Sequence, residues 1–251
     1  MKELVKCVIM SHKRADRVET SKAVANTSIC VPEAQAADYE RHNPKMEIIA
    51  HPDTVIGLSA KFRWLYERYK NVAFFDDDIF TINRMWITNK DKETMNLEPD
   101  IAYEVVQNIA QVSKDLGVKL FGFGKIPNPV AYSGHQPFSV SGFVAGGMMG
   151  FLEGWKMEIP DKCIAAADFY LSCINAFYFR KTFVDNRYFT ACKEGTFKST
   201  GGMSDFRTVE TEKEDLLFLR ESFGQVIVMK KPSGLRKKMQ HQYEHTLKLP
   251  F

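Results

Sequence analysis

The sequence predicts an α/β fold with a mainly parallel sheet flanked by helices. Three observations carry this expectation. Short apolar strands alternate with helical stretches through the first half of the chain, the pattern of a parallel sheet with crossover helices. Asn71-Val72-Ala73-Phe74-Phe75 is apolar without alternation, which suits a strand covered on both faces. The 251 residues are 45% hydrophobic and 26% charged, enough for one sizeable core, with no internal repeat or linker. One domain over 1–251 is expected.

The elements follow in order. Lys6 to Met10 is a short run of strand formers ending at the polar, basic turn Ser11-His12-Lys13-Arg14. A helix is predicted from Ala15 to Val24. Ser28 to Val31 and Met46 to Ala50 are strands, closed by Pro32 and by His51-Pro52-Asp53. Gly57 opens a helix whose apolar stripe is Leu58, Phe62, Leu65 and Tyr69, with Lys61, Arg63 and Arg68 off it. The strand at 71–75 runs straight into Asp76-Asp77-Asp78. Pro99 suits the first turn of a further helix, with Ile101, Val105, Ile109, Val112 and Leu116 as its apolar face and Gly117 as its stop.

Lys119 to Phe123 is the next strand. Phe138 to Leu152 is strand-like but holds four glycines, which signals close approach of a ligand or another backbone. Asp161 to Lys181 reads as helix, Thr182 to Tyr188 as strand or loop, and Lys193 to Ser204 as a polar loop. Thr211 with Glu214 forms a capping box ahead of Leu216, Leu219 and Phe223, with Gly224 as the stop. Gln225 to Met229 is a late strand.

Bulk properties narrow the setting. No apolar run is long enough to span a bilayer. Met1-Lys2-Glu3 leads directly into the first strand without a signal peptide, so a cytoplasmic location and no membrane partner are expected. The five cysteines are scattered, with no close pair to mark zinc or a disulfide framework, and read as reduced thiols. The net charge of +3 is mildly basic. Lys230 to Lys238 places five positive charges among nine residues, either a solvated loop or a contact for an anionic partner.

Three adjacent carboxylates repel one another, so folding does not favour them. A hard divalent cation with oxygen ligands, Mn²⁺ or Mg²⁺, would relieve that repulsion. Their position supports this reading, because ligands of open α/β sheets bind beyond the carboxyl ends of strands. Strand geometry continued through the motif would point Asp76 and Asp78 the same way. The competing reading is a solvated acidic turn. The phosphatases of the haloacid-dehalogenase type fit poorly, because Phe80 stands at their motif's last position and the motif lies far from the N-terminus. Two-metal nucleases need further carboxylates that the sequence does not place.

Val72-Ala73-Phe74-Phe75-Asp76-Asp77-Asp78-Ile79 resembles the D-x-D motif of glycosyltransferases with the GT-A fold. The resemblance implies a Rossmann-like, GT-A-like domain, with a nucleotide-binding part over about 1–117 and an acceptor part over about 118–251. It further implies a nucleotide-sugar donor, taken as a UDP-sugar, and a metal between donor diphosphate and protein. Asp78 would then bind the metal, Asp76 the donor ribose or a metal-bound water, and Asp77 would lie at the donor. Ser11, His12 and Arg14 resemble the first nucleotide-contacting loop, and Lys61 and Arg63 the basic helix before D-x-D. For Arg14, Lys61 and Arg63 a surface position explains the residue type equally well. Val144-Ala145-Gly146-Gly147-Met148 resembles the segment that shapes the sugar pocket. Asp168 falls where inverting members hold the general base, although Ala167 stands where they often have Glu; the alternative for Asp168 is a carboxylate at a helix N-terminus. His241 or His245 would supply a late metal ligand, with His241 slightly preferred.

The short chain, its Ser-His-x-Arg opening and its triple aspartate look similar to one branch of that family. These are the phage and kinetoplastid enzymes associated with thymine and methylcytosine hydroxylases, which put sugar on a hydroxymethylated base in DNA. On that resemblance Lys193, Lys198, Arg207, Lys230, Lys231, Arg236, Lys237 and Lys238 would contact DNA phosphates. The base would leave the stack, and Tyr132, Phe138 or Phe143 would stack on it unless they are core. Two alternatives stand beside this. A sugar-nucleotidyltransferase would share the architecture but wants glycines after the first strand, which Ser11 to Arg14 lacks. A non-catalytic nucleic-acid-binding module would not need the intact triple aspartate.

Overall fold

The computed structural model describes residues 3–87, 92–160, 165–192, 201–230 and 243–249. Its first four strands are β1 (Lys6–Met10), β2 (Thr27–Pro32), β3 (Glu47–His51) and β4 (Val72–Asp76). Between them lie α1 (Thr20–Ala23), α2 (Ala36–His42) and α3 (Gly57–Tyr69). The chain continues through β5 (Ile79–Arg84), α4 (Lys92–Met95), α5 (Pro99–Asp115), β6 (Leu120–Phe123), β7 (Phe138–Ser139) and β8 (Met148–Phe151). It then forms α6 (Ala167–Phe179), β9 (Phe183–Asp185), β10 (Tyr188–Cys192), α7 (Val209–Phe223), β11 (Ile227–Met229) and β12 (His245–Leu247).

Eight strands form one sheet in the order β3-β2-β1-β4-β8-β6-β9-β7. β3, β2, β1 and β4 run parallel, β8 is antiparallel to both its neighbours, and β6 and β9 are again parallel. The result is the α/β, mainly parallel mixed sheet of a GT-A-like fold. Two-stranded ribbons, β10 with β5 and β11 with β12, flank it.

The alternation of side chains along β1 and β4 explains their unbroken apolar sequence. Cys7, Ile9, Ala73 and Phe75 face a core with Ile79, Ile82 and the α5 residues Ala102, Val106 and Ala110. Val8, Val72 and Phe74 face a second core with Phe62 and Leu65 of α3, Leu171 of α6, and Leu216 and Leu219 of α7. Phe74 and Phe75 are both fully buried, each contributing roughly 1.5–3 kcal/mol of apolar burial. A polar residue at either position would remove one of the two cores from the strand that carries Asp76.

Several local expectations need correction. The helix predicted over Ala15–Val24 is a 3₁₀ turn at Ala15–Arg17 followed by the short α1, because Thr20 is held by the aspartate turn described below. Helix α5 is rotated from its predicted face. Ile101, Val112 and Leu116 are exposed, while Ala102, Val106, Ile109 and Ala110 are buried. The small alanines allow the helix to lie close to the sheet, which bulky residues would prevent. The capping box belongs to Thr208 and Thr211, not Thr211 and Glu214: Thr208 Oγ1 accepts from the Thr211 N–H at 3.1 Å, and Thr211 Oγ1 from the Thr208 N–H at 2.7 Å. Strand β5 and helix α2 had no predicted counterpart. Of Phe138–Leu152 only the two ends are strand, and α6 begins at Ala167 rather than Asp161.

Candidate active site

Asp76 closes β4 at its carboxyl end, and Asp77 and Asp78 form the turn into β5. The residues around Thr20 hold this turn. The Glu19 and Thr20 N–H groups donate to the Asp77 carbonyl at 2.9 and 3.3 Å. The Thr20 hydroxyl donates to the Asp76 carbonyl at 2.6 Å and accepts from the Ile79 N–H at 3.0 Å. Thr20 is fully buried, so one side chain fixes both ends of the motif.

The three carboxylates have different surroundings. Asp77 is 4% exposed. It accepts from Arg14 Nη1 at 2.7 Å and from the Ser11 hydroxyl at 2.5 Å. The Ser11 hydroxyl is also 2.7 Å from the Tyr39 hydroxyl, which accepts from the Arg14 N–H at 2.9 Å. Because Ser11 gives its one proton to Asp77, Tyr39 donates to Ser11. Arg14 Nη2 donates to the Gly201 carbonyl at 2.9 Å. The middle aspartate is thus neutralised by a buried ion pair.

Asp76 and Asp78 face a different neighbour. One ligand atom from each, together with the Cys192 sulfur, lies within 4.8 Å of the others. Burial, then the neighbouring carboxylates of Asp78, Asp77 and Asp168, push the Asp76 carboxyl up to about 8. Burial and Asp77 also raise Asp78. Two crowded carboxylates beside a sulfur form a donor set that suits a divalent cation, whose charge would reverse those shifts.

Asp168 stands in the first turn of α6. Burial raises its carboxyl, against the opposing effects of the Phe169 N–H, Arg207 and His245. A side chain on Gly146 would meet Asp168 Oδ2 at 3.4 Å, and one on Gly147 would meet Thr190 Oγ1 at 2.6 Å. Gly147 therefore leaves room for β10, while a side chain on Gly146 would lie at ordinary contact distance from Asp168.

These groups line one cavity of about 420 Å³: Arg14, Asp76, Asp77, Asp78, Gly146, Gly147, Asp168 and Arg207 share it with Cys192. Ser11, His12 and Lys61 line an adjoining cavity of about 260 Å³ with His51 and Asp53. Met10, Leu58, Gly202 and Met203 border both. Gly202 closes the boundary by donating its N–H to the His12 carbonyl at 2.8 Å. Its φ is +58°, and a side chain there would lie 2.9 Å from Arg14 Cζ.

Some expected residues sit elsewhere. Lys61 is buried rather than exposed, and its ammonium donates to the Ser11 carbonyl at 2.8 Å; burial lowers its pKa. Arg63 donates to the Ile159 carbonyl and lines neither cavity. Arg207, expected among the DNA-phosphate contacts, lines the larger of these two cavities, with Nε 2.7 Å from Glu212. The His245 ring lies tilted against Phe169 with centroids 4.3 Å apart, and its Nδ1 contacts the Tyr243 carbonyl at 3.0 Å; it is not in the Asp76–Asp78–Cys192 group. Lys230 pairs with Glu244. Of the aromatics, Phe143 lies 4.5 Å from Phe169 beside Asp168, Phe138 stacks on Phe183, and Tyr132 lines a separate small cavity. His241, Lys193, Lys198, Lys231, Arg236, Lys237 and Lys238 lie outside the described residues. Sequence reasoning missed Thr20, Tyr39 and Cys192. Only the side-chain hydroxyls of the first two gave a signal, and no spacing tied them to the aspartates.

An open α/β sheet with a carboxylate cluster, a glycine-lined cavity and a lone acidic residue at one edge defines a group-transfer enzyme of the GT-A-like class. The chain belongs to the TET-associated glycosyltransferase family, whose model matches residues 5–202. It is a glycosyltransferase, which sets aside the nucleotidyltransferase and the non-catalytic module. No curated protein matches the chain. Among the described residues no helix is long and apolar enough to cross a membrane.

Proposed function

We propose that the protein moves a sugar from a UDP-sugar to the hydroxyl of a 5-hydroxymethylpyrimidine in DNA, with Mn²⁺ or Mg²⁺. The observation that carries this reading is the meeting of Asp76, Asp78, Asp168 and Gly146-Gly147 in one cavity that adjoins a second. The family's association with TET enzymes supports a hydroxymethylated base as the acceptor.

Each group then has a task. Asp76 and Asp78 hold the cation. When bound, the cation supplies Lewis-acid stabilisation to the leaving diphosphate. The smaller cavity takes the nucleoside, with Lys61 fixing its floor through the Ser11 carbonyl. Ser11, Arg14 and Asp77 support the loop that joins the two cavities. The Asp168 carboxylate accepts the acceptor hydroxyl's proton as the new bond to the anomeric carbon forms and the bond to the diphosphate oxygen breaks. Its raised pKa makes it a better base than an exposed aspartate. Arg207, anchored by Glu212, adds positive charge where a phosphate would enter. The basic residues Lys198, Lys230, Lys231, Arg236, Lys237 and Lys238 form the DNA footprint.

Transfer of labelled sugar from a UDP-sugar panel to hydroxymethylcytosine and hydroxymethyluracil oligonucleotides, with and without Mn²⁺, tests the reading. Metal-dependent labelling, lost in Asp78→Ala, is expected. Labelling of neither oligonucleotide by any donor would contradict it.

A further inference from the structure

Cys192 is the last residue of β10, which pairs antiparallel with β5. Thr190 opposes Ile82 and Ala191 opposes Thr81, but the register then slips, and Cys192 falls opposite Ile79. The irregularity places Cys192 beside the residue that follows Asp78. Such breaks in a ladder re-aim a side chain. Its thiol hydrogen-bonds the Asp78 carboxylate and completes the group with Asp76 within 4.8 Å. Cys7, Cys30 and Cys173 are buried, whereas Cys192 is exposed and lines the larger cavity. Thr190, two residues earlier, abuts Gly147, so the same strand end is held against the glycine pair. Neither hydrophobic burial nor a disulfide accounts for a cysteine at this place.

We propose that Cys192 is the third protein ligand of the cation held by Asp76 and Asp78, making a mixed carboxylate–thiolate site. This rests on the metal-dependent reading above and specifies it further. On binding, the thiol gives its proton to solvent and the sulfur coordinates as thiolate. Two carboxylates alone suit Mg²⁺ and Mn²⁺ without preference for softer ions. A thiolate shifts the site toward Mn²⁺ over Mg²⁺, and further toward Co²⁺ and Zn²⁺.

Co²⁺ is the probe, added alone to the full-length protein and followed by absorbance and calorimetry. The wild type should develop a near-ultraviolet sulfur-to-cobalt charge-transfer band that saturates with bound Co²⁺. C192S and C192D should still take up Co²⁺ but lack the band. Loss of an outer-shell partner alone costs about 10–100-fold in metal affinity. C192S should therefore bind Zn²⁺ at least about tenfold more weakly than wild type, while C192D should bind Mg²⁺ more tightly than wild type. Co²⁺ bound without the band in the wild type, a band that survives in C192S, or equal Zn²⁺ affinities would overturn the thiolate ligand and leave the metal-dependent reading standing. Absence of any divalent cation binding by the wild type would overturn both.

Discussion

Asp76, Asp77 and Asp78 are neighbours in sequence but not in role. Asp77 is paired with Arg14 and Ser11 in the cavity wall, so repulsion concentrates on Asp76 and Asp78. Removing one member of a buried ion pair leaves an uncompensated charge, at a cost of about 3–5 kcal/mol. Arg14→Ala should lose that much in urea unfolding; a loss below about 1 kcal/mol, as for an exposed pair, would contradict the network. Asp76 makes a pH prediction. Its carboxyl is raised from 3.8 to about 8 in the folded protein, so the folded state holds a proton that the unfolded chain releases at lower pH. Stability of the metal-free protein should therefore fall as pH rises from about 4 to about 8. Asp76→Asn should flatten that slope, and an unchanged slope in this variant would show that another group is responsible. Asp168→Asn should lower turnover by about 10²–10⁴-fold with little change in donor affinity, since only proton transfer is removed. Steady-state kinetics that put the loss in donor KM instead would make Asp168 a binding residue.

At the scale of elements, two contacts set the site. Thr20 clamps the aspartate turn, and Gly147 lets β10 approach β8. Gly147→Ala should cost about 1–3 kcal/mol through overpacking against Thr190 Oγ1. Thr190→Ala in the same chain should recover much of it, because the nearest remaining atom is Thr190 Cβ at 3.5 Å. Additive losses in thermal melts would remove this contact from the account. Much of the fold was legible in the sequence. The hydrophobic run of β4, the helix begun by Pro99 and the crowding of glycines before Phe151 each carry a local signal. What escaped depends on pairing between distant segments. The face of α5 is chosen by how closely Ala102 and Ala110 meet the sheet, which periodicity over Ile101, Val105 and Val112 does not reveal. Arg14 and Lys61 looked like surface cations or ligand contacts, yet Asp77 and the Ser11 carbonyl claim them once the strands align. Cys192 reaches Asp78 only through a slipped register.

At the scale of the whole molecule, both parts of the chain contribute to one sheet. β3, β2, β1 and β4 come from the first part, and β8, β6, β9 and β7 from the second. The site lies where the two meet, at β4 and β8: Asp76 comes from one side, Gly147 from the other, and the Asp76 N–H donates to the Gly147 carbonyl at 3.2 Å. On the proposed reading the donor would lie against the first part and the acceptor against the second. DNA binding should weaken steeply with salt, and Arg236→Ala, Lys237→Ala and Lys238→Ala together should reduce the slope of log affinity against log salt by about three. Fluorescence anisotropy with a hydroxymethylated duplex measures it; a slope unaffected by the three changes would move the footprint elsewhere. Asp76 and Asp78 are proposed to hold the cation that meets the donor diphosphate. A crystal structure with UDP and Mn²⁺, located by its anomalous scattering, tests it most directly. The manganese peak should fall between Asp76 and Asp78 with uridine in the cavity lined by Ser11 and Lys61; a peak away from both aspartates, or uridine outside that cavity, would contradict the account.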